Sequence, residues 1–180
     1  MKPKCTLRHA LCDPALLGTT LQGESWRAWR VLLIAAMGEQ LSDQERDLFQ
    51  RLTGRPGEPR ERVEEFWCVA GRRGGKTRSA AVLSAYIAAL CDHSDHLVAG
   101  ERGLVLFLAQ NVQQAHVAFG YAAAIFESVP ALADMVLNRT ADTISLCNGI
   151  DLQIRAASFR GLRGARLAKS VAYWKSKRQW

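Results

Sequence analysis

The nine residues Val69-Ala70-Gly71-Arg72-Arg73-Gly74-Gly75-Lys76-Thr77 constrain this chain more than any other stretch. An apolar run, Phe66-Trp67-Cys68-Val69-Ala70, leads in, and a run of helical composition from Lys76 to Leu90 leads out. A strand that turns sharply into a helix needs glycine at the turn, because glycine takes either sign of φ without steric cost. The main-chain N–H groups of such a turn can converge on an anion, with the positive end of the next helix behind them. The spacing Ala70-x-x-x-x-Gly75-Lys76-Thr77 is that of a phosphate-binding P-loop with Ala in place of its first Gly. In that reading Ala70, Gly71, Arg72, Arg73, Gly74, Gly75, Lys76 and Thr77 form the cradle for the phosphates of a nucleotide. Lys76 reaches the β and γ phosphates, and the Thr77 hydroxyl ligates the Mg²⁺ that accompanies the nucleotide. Arg72 lies against the γ-phosphate; Arg73 faces either phosphate or solvent. The competing structural reading is a plain glycine-rich turn between strand and helix.

The remainder of the chain sets the frame for that loop. At 180 residues it suits one domain, or one domain with a small appendage. A hydrophobic share of 48% is enough for a packed core. No apolar run approaches the ~18 residues of a membrane span, and the first residues lack the apolar stretch of a signal peptide. The five cysteines, Cys5, Cys12, Cys68, Cys91 and Cys147, are odd in number and widely spaced, which suits reduced thiols in a cytoplasmic protein. Cys68, inside an apolar run, reads as core. The net charge is +7, and no acidic residue follows Asp151, whereas eight Lys or Arg residues do, from Arg155 to Arg178. A one-signed segment suits a polyanionic partner such as DNA, or else is a solvated basic tail.

Residues before about Gln22 have no clear period and read as an arm. Trp26, Trp29, Leu33 and Met37 then recur at three and four, on one helix face that ends at Gly38. The indoles of that face either pack on the sheet or stack an adenine, and periodicity favours packing. Ser42-Asp43-Gln44-Glu45 has the form of a capping box, and Gly54 and Pro56 close the short helix that follows. The polar segment 55–62, rich in Pro and Arg, divides the chain into a helical piece, 1–62, and a main domain, 63–180. Within the latter, residues 66–70 and 104–109 read as buried strands. The helix from Lys76 has Ala80, Leu83, Ile87 and Leu90 on its inner side, and a second helix covers residues 111–126. Asn148-Gly149 marks a hairpin in which both residues need positive φ. Strand, helix, strand, helix and hairpin together predict an α/β fold with a largely parallel sheet.

Together these residues resemble the large subunit of tailed-phage terminases, the ATPase that drives DNA into the capsid. The resemblance runs over residues 26–174. It includes Trp26-x-x-Trp29-Arg30, Leu52-Thr53-Gly54-Arg55, the loop with its Arg residues before Gly-Lys-Thr, Phe159-Arg160-Gly161-Leu162-Arg163-Gly164, and Ala172-Tyr173-Trp174. It implies an ASCE-type P-loop NTPase, ATP and Mg²⁺ as cofactors, and Lys76 and Arg72 as the catalytic groups at the triphosphate. It further implies a ring assembled on a portal protein with a small terminase subunit, a nuclease domain beyond the ATPase, and residence in the bacterial host cytoplasm. Arg160, Arg163 and Arg166 are candidates for DNA phosphate contacts.

One departure bears on catalysis. The family carries a hydrophobic strand ending Asp-Glu just before its late aromatic pair. Here that stretch reads Arg166-Leu167-Ala168-Lys169-Ser170-Val171-Ala172-Tyr173-Trp174, with no acid and too few apolar residues for a buried strand. The expectation is an ATPase domain cut short before these acids, binding nucleotide with hydrolysis in question. Asp142 and Asp151 are the downstream acids that remain as substitutes. Cys91-Asp92-His93-Ser94-Asp95-His96 reads as a solvated helix end rather than a metal site. The rival functional readings are a small P-loop phosphotransferase and a non-enzymatic, basic nucleic-acid binder.

Overall fold

A computed structural model describes residues 1–109, 112–156 and 167–173. The chain begins with a two-residue strand β1 (Lys2–Pro3) and a short helix α1 (Leu7–Cys12), whose first turn is capped by the Thr6 hydroxyl. The expected arm is therefore packed rather than loose: Leu7, Leu11, Leu17 and Leu21 are all buried. A six-residue helix is too short to display a period, so its sequence carried no signal.

A single 3-10 turn (Glu24–Trp26) leads into α2 (Arg27–Ala36), which buries Val31, Leu33, Ile34, Ala35 and Ala36. Gly38 stops it with φ 74, and a side chain there would collide with the backbone of Glu61, 2.3 Å away. Helix α3 (Asp43–Thr53) starts on the expected capping box. Ser42 accepts from the Glu45 N–H, Glu45 accepts from the Ser42 N–H, and Gly54 closes the far end in the left-handed region. The polar stretch that follows is anchored, since Glu58 accepts from the Arg46 guanidinium and from the Leu41 N–H.

Helix α4 (Lys76–Leu90) occupies the expected residues, but its inner side differs. Ser79, Ala81, Val82, Ser84, Ala85, Tyr86, Ala88 and Ala89 are buried with Ile87, while Ala80, Leu83 and Leu90 are half-buried. The helix is apolar almost all round and is covered on several sides, so periodicity could not single out one face. Strand β2 (Cys91–Asp92) then pairs antiparallel with β1, and the Tyr86 hydroxyl donates to the Cys5 carbonyl at 2.6 Å.

The main sheet is built from β3 (Gly103–Ala109), then, after helices α5 (Val112–Ser128) and α6 (Pro130–Ala133), from β4 (Val136–Arg139), β5 (Thr143–Leu146), β6 (Ile150–Ala156) and β7 (Leu167–Tyr173). Its order is β4-β5-β6-β3-β7. β3 runs parallel to both β6 and β7, whereas β4–β5 and β5–β6 are antiparallel. The sheet is thus mixed rather than largely parallel. The additional strand β4, which has three of four residues exposed, is what the sequence reading lacked.

β5 and β6 alternate: Ile144, Leu146, Ile150, Leu152 and Ile154 are buried, with half-buried residues between them. Register places Leu152 beside Val105 and Ile154 beside Phe107, and this face joins α4 and α5 in one apolar cluster. Phe107 meets Phe119 of α5 edge to face at 6.3 Å. Residues from α1 and α2 belong to the same cluster. The hairpin at Asn148-Gly149 is present, but only Gly149 has positive φ, at 82°. The Gly149 N–H bonds the Leu146 carbonyl, so the turn is the longer kind with one left-handed residue.

One expectation is qualified here and one corrected. The stretch 167–173, read as too poor in apolar residues for a buried strand, forms β7 in a parallel ladder with β3. Among the described residues it pairs on one side only, and an edge strand does not require the continuous apolar run of a central one. Conversely, residues 66–70 were expected as a buried strand. They belong to no sheet among the described residues, Trp67 is 83% exposed, and Cys68 is exposed rather than core. No described strand pairs with them, and Phe66, Trp67 and Val69 are exposed.

Candidate phosphate-binding loop

The loop 70–75 joins this segment to α4 through a turn at Arg72 and Arg73. Arg73 has φ 59, the sole positive value at a non-glycine among the described residues, and Gly75 has φ 75. Residues 73 and 75 have positive φ and Gly74 between them does not, so the sign of φ alternates. Alternation of this kind turns successive N–H groups toward one side, as in anion-binding nests. Gly75 is also the N-cap of α4 and has no side chain to cap it. The first N–H groups of a helix have no partner within it, and here the first intrahelical bond runs from the Ser79 N–H to the Gly75 carbonyl.

Within the loop, the Gly71 carbonyl accepts from the Gly74 N–H at 3.2 Å and from the Lys76 ammonium at 3.0 Å. The ammonium is therefore folded across the loop, on the side where an anion would sit in a cradle of this type. Arg72 and Arg73 are exposed at the turn, and Thr77 is half-buried in the first turn of α4. These cations and the uncapped helix start give a site with positive potential and directional donors, suited to an oxyanion.

The loop is buttressed from behind by α2. The Trp29 indole N–H donates to the Gly74 carbonyl at 2.8 Å. A side chain added to Gly75 would lie 2.7 Å from the Trp26 ring and 3.1 Å from Trp29 Nε1. The Arg78 guanidinium, one turn into α4, sits 5.2 Å from the centre of the Trp26 ring, at cation–π range. The sequence reading placed these indoles on one helix face, packed on the sheet or stacked on a base; their contact with the loop was missed. Their i, i+3 spacing was the available signal, but it carries no information about which element they meet.

No family model matches this sequence, and no curated protein matches it significantly.

The other candidate residues are not drawn into this site. Asp151 opens β6, where Arg102 grips it at 2.8 and 3.0 Å. The neighbouring Asn148 side chain donates to the Ala88 carbonyl, at the last turn of α4. A 15-residue helix spans ~22 Å, so Asp151 lies near the opposite end of α4 from the loop. Asp142 is committed to the β4–β5 turn, where its carboxylate accepts from the Thr140 hydroxyl at 2.9 Å. In the segment 91–96, Cys91 and His93 are buried, and a His93 ring nitrogen bonds the Ile87 carbonyl. Burial pushes the Cys91 thiol up to about 12 and lowers the His93 imidazole. Among the described residues no group of three or more His, Cys, Asp or Glu side chains is placed to hold a metal ion. Arg160, Arg163 and Arg166 lie outside the described residues.

Proposed function

We propose that this chain binds the triphosphate of ATP in the loop 70–77 and functions as a nucleotide-binding domain of the terminase, DNA-packaging type. The observation that carries the reading is the Lys76 ammonium folded onto the Gly71 carbonyl, across a left-handed turn that runs into an uncapped 15-residue helix. The residues present fit a nucleotide phosphate. Gly75 leaves the start of α4 without a side-chain cap, Lys76 supplies a cation beside the loop carbonyl of Gly71, and Arg72 and Arg73 supply exposed charge at the turn. Mg²⁺, which offsets phosphate charge when bound, would be held jointly by the nucleotide and the Thr77 hydroxyl.

The proposal is of binding rather than turnover. Asp151 is gripped by Arg102 near the far end of α4, and Asp142 is engaged by the Thr140 hydroxyl in the β4–β5 turn, so neither is assigned to orient an attacking water at the loop. DNA as partner, a portal and small subunit, ring assembly and bacterial cytoplasmic residence come with the terminase reading and stand or fall with it. The net charge of +7 favours a polyanion.

Isothermal titration of the intact chain with ATP and Mg²⁺ tests the reading. Wild type should bind, and Lys76→Ala should bind at least ~10-fold more weakly, since a charge-assisted contact is lost. No heat from wild type, or equal heat from the variant, would refute it.

A further inference from the structure

We propose that Trp29 is the positioning residue of this loop: its indole N–H turns the Gly74–Gly75 peptide so that the Gly75 N–H faces the bound anion. The inference rests on the loop being an anion site, and it adds that α2 sets the direction of one of its donors. In a trans peptide the C=O and N–H of one unit point in opposite directions. The Gly74 C=O points at Trp29 Nε1, 2.8 Å away. The Gly75 N–H of the same unit is therefore directed away from α2, out of the indole wall. Gly75 is held against that wall with no room for a side chain, and its φ of 75° is one that glycine adopts readily. Trp26 completes the wall and is itself covered by Arg78 of α4. The tie thus joins α2, the loop and the first turn of α4 into one unit. On the loop's other side the Gly71 carbonyl, holding Gly74 N–H and Lys76, fixes the second peptide.

This assigns Trp29 to the phosphates and not to the base, and the two roles separate experimentally. The intact chain is made with Trp29 replaced by benzothienylalanine, which keeps the ring shape and puts sulfur in place of the N–H. Trp29→Phe is made in parallel. Each is titrated with ATP–Mg²⁺ and with inorganic tripolyphosphate, which has no base, and the thermal midpoint is recorded. For the benzothienyl variant the expected result is an unchanged midpoint and a loss of ~10-fold or more for both ligands, by the same factor. Trp29→Phe should follow it. Unchanged affinity for both ligands would overturn the proposal, as would a loss confined to ATP, which would make Trp29 a base-stacking residue. Wild type that binds neither ligand would instead remove the anion site itself, and the proposal with it.

Discussion

Helices α3 and α4 begin in opposite ways. At α3 the Ser42 hydroxyl and the Glu45 carboxylate each satisfy a main-chain N–H, and Arg8 reaches in from α1 to grip the same carboxylate at 2.8 Å. At α4 the cap is a bare glycine in the left-handed region, and the residues before it are exposed and unladdered. One helix start is completed by its own sequence neighbours. The other has no side-chain cap and is held from behind by two indoles. A capped start is a device of stability, typically worth ~1 kcal/mol. An uncapped start that is nonetheless held rigidly is what an anion site requires.

The largest expected effect comes from breaking the α4 start. Gly75→Ala places a methyl group 2.7 Å from the Trp26 ring and demands a left-handed conformation, which costs an L-residue about 1–2 kcal/mol. Either the indole wall moves or the loop unwinds. Triphosphate binding should fall below detection in calorimetry, and the thermal midpoint should drop by several degrees. A variant with wild-type affinity would show that the loop's geometry is irrelevant to binding.

A smaller effect sharpens the α3 side. Glu45 and Glu58 are both held at about 2, against an ordinary value of 4.5, chiefly by the guanidinium groups of Arg8 and Arg46 respectively. A depressed carboxylate contributes stability that is fully present above the unfolded value and is lost as the pH falls through the folded one. The window is therefore from about pH 4.5 down to about pH 2. Each pair is partly open to solvent, which screens it, so the midpoint should fall by only a few degrees per pair across that window. Glu45→Gln and Glu58→Gln should each remove their share of this slope, converging on wild type at the acid end. An unchanged slope in both variants would show that these pairs do not hold the α1–α3 region together.

The same contrast explains what could be read from the sequence. The capping box at Ser42, the stops at Gly38 and Gly54, the helix from Lys76, the strand from Leu104 and the Asn-Gly hairpin depend on residues within a few positions of one another, and all appear. Pairing partners depend on distant residues. Thus β4 was unseen, the pairing of β7 was not anticipated, and residues 66–70 were placed in a sheet they do not join. At the site, the loop was legible because its glycine spacing is local. The Trp29 contact to Gly74 spans 45 residues and left no mark in the pattern. Helix α4 misled for a different reason: a helix covered on several sides offers no contrast from which to choose a face.

The smallest expected effect tests the segment that leads into the loop. Val69 and Trp67 are exposed, and residues 66–70 have no ladder among the described residues. Removing an apolar side chain that nothing covers forfeits little burial, so Val69→Ser should change stability by no more than about 0.5 kcal/mol. A buried strand valine would behave otherwise, since deleting even one buried methylene leaves a cavity and typically costs more than that. The two cases differ by several-fold in a urea titration. The variant should also scatter less light at high concentration, because neighbouring exposed apolar side chains favour intermolecular contact. A loss of several degrees in the midpoint of Val69→Ser would place the segment inside a sheet after all. The contrast between a helix start completed from within and one held open would then lose its second half.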